Sequence, residues 1–475
     1  MEFKKDEDLS DVHHWDTSIH IDLEKELFEG DLQGKNYFSI IENEEIEPLI
    51  SNILDPNSGF NSTLELLNIL QGDIIPNINE LLDIPNFMFS IFTKFLQVQD
   101  NDIKHNILLV LVYLTMANLK ENSDFLDEGF IKEVLNNYNT ENNKLVCPFT
   151  NFLINLMSDR TIGIHFTEIL FNNDFLTYIL KILQKESRSA YEQYAINSLF
   201  IFTEIAVPQL LQFETEEFDQ LYVNRILVYN EILQFLPNIY ERSDNYTQDR
   251  IRWVICHLCD LSITRTFVLQ STFPHIFGKL IPSVEIDEFF PSIVNTANCL
   301  SSRIPEFFLN NYEPLIKKIS SYFKATNDSS LELSEIAYFI EITIENQCFD
   351  DLNRKNIFSD LVKLYESNAD HKSKKKIAKI LVKSVSDALS LNEKPDWLDE
   401  AISDIIDAME QFSEHRLAEV LMKINNWIGD DLEYISEIGR ANEIQDILIS
   451  LVDEYPEESP VNAAANMLLE NEIFA

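Results

Sequence analysis

Apolar residues recur along most of the chain at the spacing of amphipathic helices. Between residues 377 and 384, for example, Ile377, Ile380 and Leu381 share one helical face while lysines flank them. The apolar segments end in short polar turns that contain Ser, Asn, Asp or Pro, the residues that cap and end helices. Glycine is scarce, with 9 residues, and the alternation typical of strands is almost absent. The pattern predicts an all-α fold.

A pair of residues four positions apart, most of them small or apolar, recurs with a longer period. Seven of the eight gaps between successive pairs measure 40 to 46 residues. A helix pair cannot bury its apolar stripe alone, so units with this period must stack on one another. The period therefore predicts a right-handed α-solenoid of about nine armadillo-like repeats. The pairs are Val110 and Leu114, Leu153 and Met157, Ala195 and Leu199, Val254 and Leu258, Thr296 and Leu300, Ala337 and Glu341, Ala378 and Val382, Ala418 and Met422, and Ala464 and Leu468.

One copy of the repeat, RWVICHLCDLS at residues 252–262, resembles the third helix of an importin-α armadillo repeat. In that family a Trp is followed four residues later by an Asn, and Trp253 and His257 stand at these positions. The likeness in period spans residues 85–475, but other copies depart from the motif, such as Ile336 with Ile340. The resemblance implies a groove, lined by the third helices, that holds an extended basic peptide. The groove candidates are Tyr194, Ser198, Trp253, His257, Asn295 and Asn298.

The net charge of -44 limits the classes of partner. Nucleic acid and anionic membrane surfaces need cations to bind them, so neither is expected as a direct ligand. An acidic surface suits a basic partner, or simply keeps the protein dispersed. Arg250 and Arg252, beside Trp253, would oppose a basic ligand if they faced it.

The charge also divides the chain. Residues 1–50 hold 15 acidic side chains against four lysines, the opposite sign to the basic N-terminal segment of importin-α proteins. We expect residues 1–45 to form an acidic, mobile tail and residues 46–475 to form the repeat domain. The one long gap between pairs, 59 residues, predicts an acidic insertion near 207–222, either a binding loop or a tolerated surface excursion.

Candidate chemistry is sparse. Cys256, His257 and Cys259 could form half of a metal site or a redox centre, but packing is the favoured interpretation because Cys147, Cys299 and Cys348 look isolated in sequence. The histidines at 13, 14 and 20 lie in the acidic tail, where spacing alone supports no structural metal site. Phosphate-binding loops, HExxH, GxSxG and GxGxxG are all missing from the sequence. We therefore expect a protein that is not an enzyme and carries no cofactor or metal.

The basic run HKSKKKIAK, residues 371–379, has two interpretations: a solvated helix start, or a docking patch or nuclear address. The first residues contain no apolar signal region, and the longest apolar run, 107–114, is too short to cross a bilayer. These features predict a protein of the cytoplasm, the nucleus or both. We also expect it to be a monomer.

The sequence favours a scaffold that grips an extended, basic protein segment. Two alternatives stay open. One is a divergent importin-α-like import receptor. The other is an armadillo-type nucleotide exchange factor, or another regulator, that wraps a folded partner.

Overall fold

The computed structural model is all-α, as the periodicity predicts. The only strands among the residues that it describes are Ile40–Ile41 (β1) and Ile75–Pro76 (β2), which pair in parallel. The described residues are 40–41, 43–55, 59–72, 75–76, 78–116, 128–138, 143–159, 161–184, 190–213, 220–287, 289–325, 333–366, 371–437 and 441–471.

The chain divides into two compact units, Met1–Ile169 and Leu170–Ala475. The repeat domain over 46–475 that the sequence predicts includes residues of both units and stays a prediction. The first unit contains α1 (Asn43–Leu54), α2 (Phe60–Leu70), α3 (Ile78–Leu82), α4 (Phe87–Gln97), α5 (Asn101–Thr115), α6 (Glu128–Tyr138) and α7 (Asn143–Ser158). Helix α8 (Gly163–Asn172) contains the point of division.

The described part of the second unit consists mainly of helices. They are α9 (Phe175–Leu183), α10 (Ala190–Phe213), α11 (Gln220–Ile232), α12 (Leu236–Arg242), α13 (Asn245–Asp260), α14 (Ser262–Gln270), α15 (Phe273–Leu280), α16 (Phe290–Ser301), α17 (Pro305–Ala325), α18 (Leu333–Glu345), α19 (Phe349–Arg354), α20 (Ile357–Glu366), α21 (His371–Leu389), α22 (Leu398–Asp407), α23 (Glu414–Asp430), α24 (Leu432–Glu437), α25 (Ala441–Glu454) and α26 (Pro460–Leu469). Short 3-10 turns lie at Ile281–Ser283 and Met409–Gln411.

Two rows of helices organise the second unit. In the main row, each of α10, α13, α16, α18, α21, α23 and α26 packs on the next. In a second row, α12, α15, α17, α20 and α22 pack in the same successive manner. Capping residues mark the start of two helices in the main row. Asp244 caps α13, and Ser459 caps α26 directly before Pro460.

The repeated residue pairs lie on nine different helices, one pair to each helix. Of their eighteen side chains, seventeen are buried, and the exception is Met422 at 53% exposure. Glu341 is buried as well, and its ion pairs with Lys379 and Lys383 offset the cost of burying its charge. The period therefore identifies the core-facing positions of successive helices.

Three local predictions from the sequence can be compared with the structure. Residues 371–379 are the first turns of α21, with Ile377 and Ile380 buried, as expected of a helix start. The predicted insertion at 207–222 is largely helical, because 207–213 continue α10 and 220–222 begin α11, while 214–219 lie outside the described residues. Most of the predicted acidic tail, including the histidines at 13, 14 and 20, also lies outside them. Across the described part of the chain, no helix is long and apolar enough to cross a membrane.

Candidate binding surface

Helix α13 presents one narrow stripe of side chains to solvent. The Asp244 carboxylate accepts a hydrogen bond of 2.8 Å from the Thr247 backbone N–H and so fixes the start of the helix. Trp253 and His257 are partly exposed and Asp260 is exposed, one helical turn apart. The other faces are packed, with four apolar side chains at 0% exposure: Ile251, Val254, Ile255 and Leu258.

Trp253 and His257 form an aromatic pair on this stripe. Their ring centroids lie 6.2 Å apart. Burial lowers the pKa of His257 to about 4, so its imidazole is neutral at pH 7. The two ring planes are tilted by 35°, and the pair carries no positive charge at neutral pH.

The two arginines beside Trp253 turn away from the stripe. Arg250 is buried between Phe200 and Tyr246, with its guanidinium carbon 4.3 and 4.7 Å from the two ring centroids. Arg252 is also buried, and donates to Ser292 at 2.9 Å and to Tyr240 and Asp249 at 3.2 Å. Both guanidinium groups are therefore buried, and Arg252 is paired with the Asp249 carboxylate.

The other groove candidates divide into two groups. Tyr194 on α10 and Asn295 on α16 are partly exposed, like Trp253 and His257. Ser198 and Asn298 are buried, at 0% and 1% exposure, which corrects the prediction that they face a groove. Asn298 instead donates a 2.7 Å hydrogen bond to the Glu335 carbonyl and ties α16 to α18. The orientation of α16 about its own axis turns Asn298 toward α18, and the spacing of single residues in the sequence does not reveal that orientation.

Tyr338 on α18 is a surface residue that the sequence interpretation missed. It is 49% exposed, whereas Ile336 and Ile340, the positions compared with the Trp–Asn motif, are both fully buried. The spacing could have identified it, since Asn295 follows Trp253 by 42 residues and Tyr338 follows Asn295 by 43. Trp253, Asn295 and Tyr338 thus lie on three successive helices of the main row, and we call them the ladder surface.

The row continues into α21 with paired charges. Lys383 contacts Glu341 at 2.8 Å and Glu345 at 3.4 Å, and Lys379 contacts Glu341 at 3.4 Å. Opposite charges at these distances offset one another, so Lys379 and Lys383 present less free positive charge than the sequence suggests. The ladder surface ends at this charged layer.

The thiols of α13 are packing residues next to a third cysteine. Cys256 and Cys259 are buried, and the Cys256 sulfur lies 3.6 Å from the Thr296 hydroxyl on α16. The neighbouring Cys299 thiol, together with burial, raises the pKa of Cys256, and burial raises the pKa of Cys259 to about 12. Cys299 is therefore not isolated, which corrects the sequence interpretation. Within the described ranges, no group of three or more His, Cys, Asp or Glu is placed to hold a metal ion.

Comparison with known proteins supports the fold and no family. No protein-family model and no curated protein matches the sequence, so the likeness to importin-α rests on the residues quoted above. The crystal structure of an engineered protein from the Northeast Structural Genomics Consortium is similar, with a TM-score of 0.64 and 14% identity, over 91% of this chain and 99% of that chain. A second engineered protein from the same consortium reaches a TM-score of 0.40 at 12% identity, over 54% of this chain and 97% of that chain. The first likeness shows that the chain shares an all-helical fold with a solved structure.

Proposed function

We propose that this chain is a non-enzymatic binding scaffold built from armadillo-type repeats, and that its ladder surface holds an extended, basic segment of a partner protein. The single observation that carries the proposal is the partly exposed Trp253–His257 pair, followed along the main row by Asn295 and the exposed Tyr338. Aromatic and amide side chains in this order suit the side chains and the backbone of a bound peptide.

The grouping of helices supports armadillo-type repeats. Helices α11 to α13, α14 to α16 and α19 to α21 each form a triplet whose third member belongs to the main row. Between the second and third triplets, the single 21-residue helix α17, which contains Pro314, takes the place of the first two helices of a triplet. Helix α18 of the main row follows it. A solenoid of such units, with a few irregular copies, is the arrangement that the 40 to 46-residue period predicts.

Helix spacing indicates how the peptide would lie. Packed helices are about 8–10 Å apart, and an extended chain advances about 3.3–3.6 Å per residue. Trp253 and Tyr338 are two helices apart in the main row, a distance of about 16–20 Å that equals about five or six extended residues. Two side chains with this separation in a ligand would meet the two aromatic rings.

The surroundings of Trp253 favour a basic ligand. A Lys or Arg above a Trp or Tyr ring gains a cation–π attraction of about 0.5–2 kcal/mol. His257 is neutral at pH 7, and Arg250 and Arg252 are buried, so the neighbouring residues on α13 place no cation beside the ring. The net charge of -44 attracts basic segments from a distance.

Binding of peptides with two Lys or Arg residues, at separations of three to eight residues, tests the proposal. We expect the tightest binding at a separation of about five or six residues, and weaker binding as salt rises. Trp253→Ala and Tyr338→Ala should each weaken binding by about 1–3 kcal/mol, because large aromatic residues dominate interface energies. Fluorescence anisotropy measures the affinities, and circular dichroism checks that helicity is kept.

Phe89→Ala is the matched control, since Phe89 lies on α4 in the first unit and is 47% exposed, much like Tyr338. It should leave peptide affinity unchanged. If the control weakens binding as much as Trp253→Ala, or if no basic peptide binds in a salt-dependent way, the ladder surface is not the binding site.

A further inference from the structure

A cleft with a basic lining lies on the second helix row, away from the ladder surface. Its volume is about 440 Å³, and its walls come from the turn after α15, the middle of α17 and the turn between α19 and α20. Three of its lining residues are lysines, at 317, 318 and 355, and the one carboxylate is Glu313. A local excess of positive charge contrasts with a chain that has 80 acidic and 36 basic residues.

One lysine of this cleft is held by a hydrogen bond, and two others have no carboxylate partner among the described residues. The Lys318 ammonium group donates to the Val284 carbonyl and ties α17 to the turn after α15. The Ser320 hydroxyl donates to the Lys355 carbonyl at 3.4 Å, which ties α17 to the turn at Lys355. Among the described residues, no Asp or Glu oxygen lies within ion-pair distance of Lys317 or Lys355, although the chain pairs Lys379, Lys383 and Lys394 with carboxylates. Lys317 and Lys355 are thus available to an external anion.

The rest of the lining narrows the kind of anion. Pro282, Ile286 and Pro314 give the cleft an apolar wall, which a free inorganic anion does not need. Its lining includes no aromatic ring, within the part of the chain that the structure describes, on which a nucleotide base could stack. An anion attached to a short apolar segment fits both parts of the lining. A volume of about 440 Å³ lies toward the lower end of ligand pockets and suits one modified side chain with a neighbouring residue.

We propose that this cleft binds a phosphorylated serine or threonine side chain of a partner polypeptide, with Lys317 and Lys355 on the phosphate and Pro282, Ile286 and Pro314 against the flanking residue. A phosphate carries a charge of about -1.5 to -2 at pH 7 and offers three acceptor oxygens. Lysine ammonium groups bind phosphate as point charges and need no bidentate geometry. The site is independent of the ladder surface, so either proposal can fail while the other stands.

The probe is a short fluorescein-labelled peptide with one phosphoserine flanked by leucine and alanine, measured by anisotropy on the full chain. We expect the phosphorylated peptide to bind at least about tenfold more tightly than its unphosphorylated form, since charge-assisted contacts are the strong ones. Affinity should fall as pH drops below about 6, where the phosphate gains a proton. Lys317→Met/Lys355→Met, which keeps the apolar stems, should abolish the preference for phosphate.

The control variant Lys363→Ala/Lys423→Ala also removes two positive charges, but from exposed positions outside the cleft. It should retain the phosphate preference. Equal loss in the control would assign the effect to general charge and overturn the proposal. Complete displacement of the peptide by inorganic phosphate at a similar concentration would show a free-anion site, and would overturn it too. If the cleft variant is not helical by circular dichroism, the charge-reversing variant Lys355→Glu alone should abolish phosphopeptide binding.

Discussion

Replacement of Asp404 by asparagine should stabilise the second unit at neutral and alkaline pH. Asp404 lies on α22 and is 5% exposed, and its Oδ2 atom has no hydrogen-bond partner among the described residues. Burial, followed by the nearby carboxylates of Glu366, Asp407 and Glu400, raises the pKa of Asp404 to about 7. Asparagine has the same shape and no charge, so it resembles the protonated acid.

The size of the effect follows from this pKa. An unfolded aspartate has a pKa of about 3.9, so between about pH 4 and 7 the folded chain holds the proton more tightly. Stability therefore falls as the pH rises through this window, and the penalty is complete above about pH 7. Each pKa unit corresponds to about 1.4 kcal/mol, so three units give about 4 kcal/mol. Because solvent screens the exposed neighbouring carboxylates, we expect about 1–3 kcal/mol at pH 8.

Hydrogen exchange detected by mass spectrometry can localise the effect to α20–α22. Parent and Asp404→Asn proteins are compared at the same pH, near 5 and near 8, so that intrinsic exchange rates cancel. At pH 8 the variant should exchange more slowly in these helices, and near pH 5 the difference should be much smaller. Asp453→Asn, at an exposed position on α25, controls for the loss of one negative charge.

An equal difference at both pH values would refute the reasoning, since the gain would then come from the amide group instead of the missing charge. The same conclusion would follow if Asp453→Asn slowed exchange in α20–α22 as much as Asp404→Asn.

Three further predictions concern a buried tryptophan, the C-terminal helices and the cysteine thiols. Trp427→Ala should lower the free energy of unfolding by about 3–5 kcal/mol, measured by urea denaturation, because Trp427 is 1% exposed and its indole N–H donates to the Ser386 hydroxyl at 3.0 Å. Deletion from Glu433 onward should leave a helical remainder of lowered stability, since each helix of the main row packs on its neighbours; complete loss of helical circular dichroism would contradict this. In the native protein, Cys256 should react with a thiol reagent at pH 8 much more slowly than the partly exposed Cys299, as mapped by mass spectrometry, and equal rates would show that the α13–α16 contact opens readily.

The helices were predictable because their information is local. Apolar spacing and capping residues act within a few positions, and Asp244 before α13 is an example. The period placed one pair on each of nine helices because successive helices bury equivalent positions. The Met422 side chain is an exception because the preceding residue, Leu421, occupies the core position of α23 with 0% exposure.

Side-chain direction around each helix was less predictable. Adjacent residues on a helix differ by about 100°, so a small rotation moves a residue from the surface into an interface. Asn298 is buried because its partner, the Glu335 carbonyl, lies on another helix 37 positions away. The association of Cys299 with Cys256 had a sequence signal, since the two are 43 residues apart, close to one period. The lysine cleft had no such signal, because its walls come from two turns and one helix that only the fold brings together.

The separation of surface and core positions on α13 has a consequence for how such a protein changes over evolutionary time. Trp253, His257 and Asp260 can vary without disturbing Val254 or Leu258, because the two sets occupy different faces of one helix. Mutation can therefore alter ligand preference one helix at a time while the interior stays constant. In the laboratory the same independence makes the exposed stripe a natural target for combinatorial libraries that seek new specificities on a fixed framework.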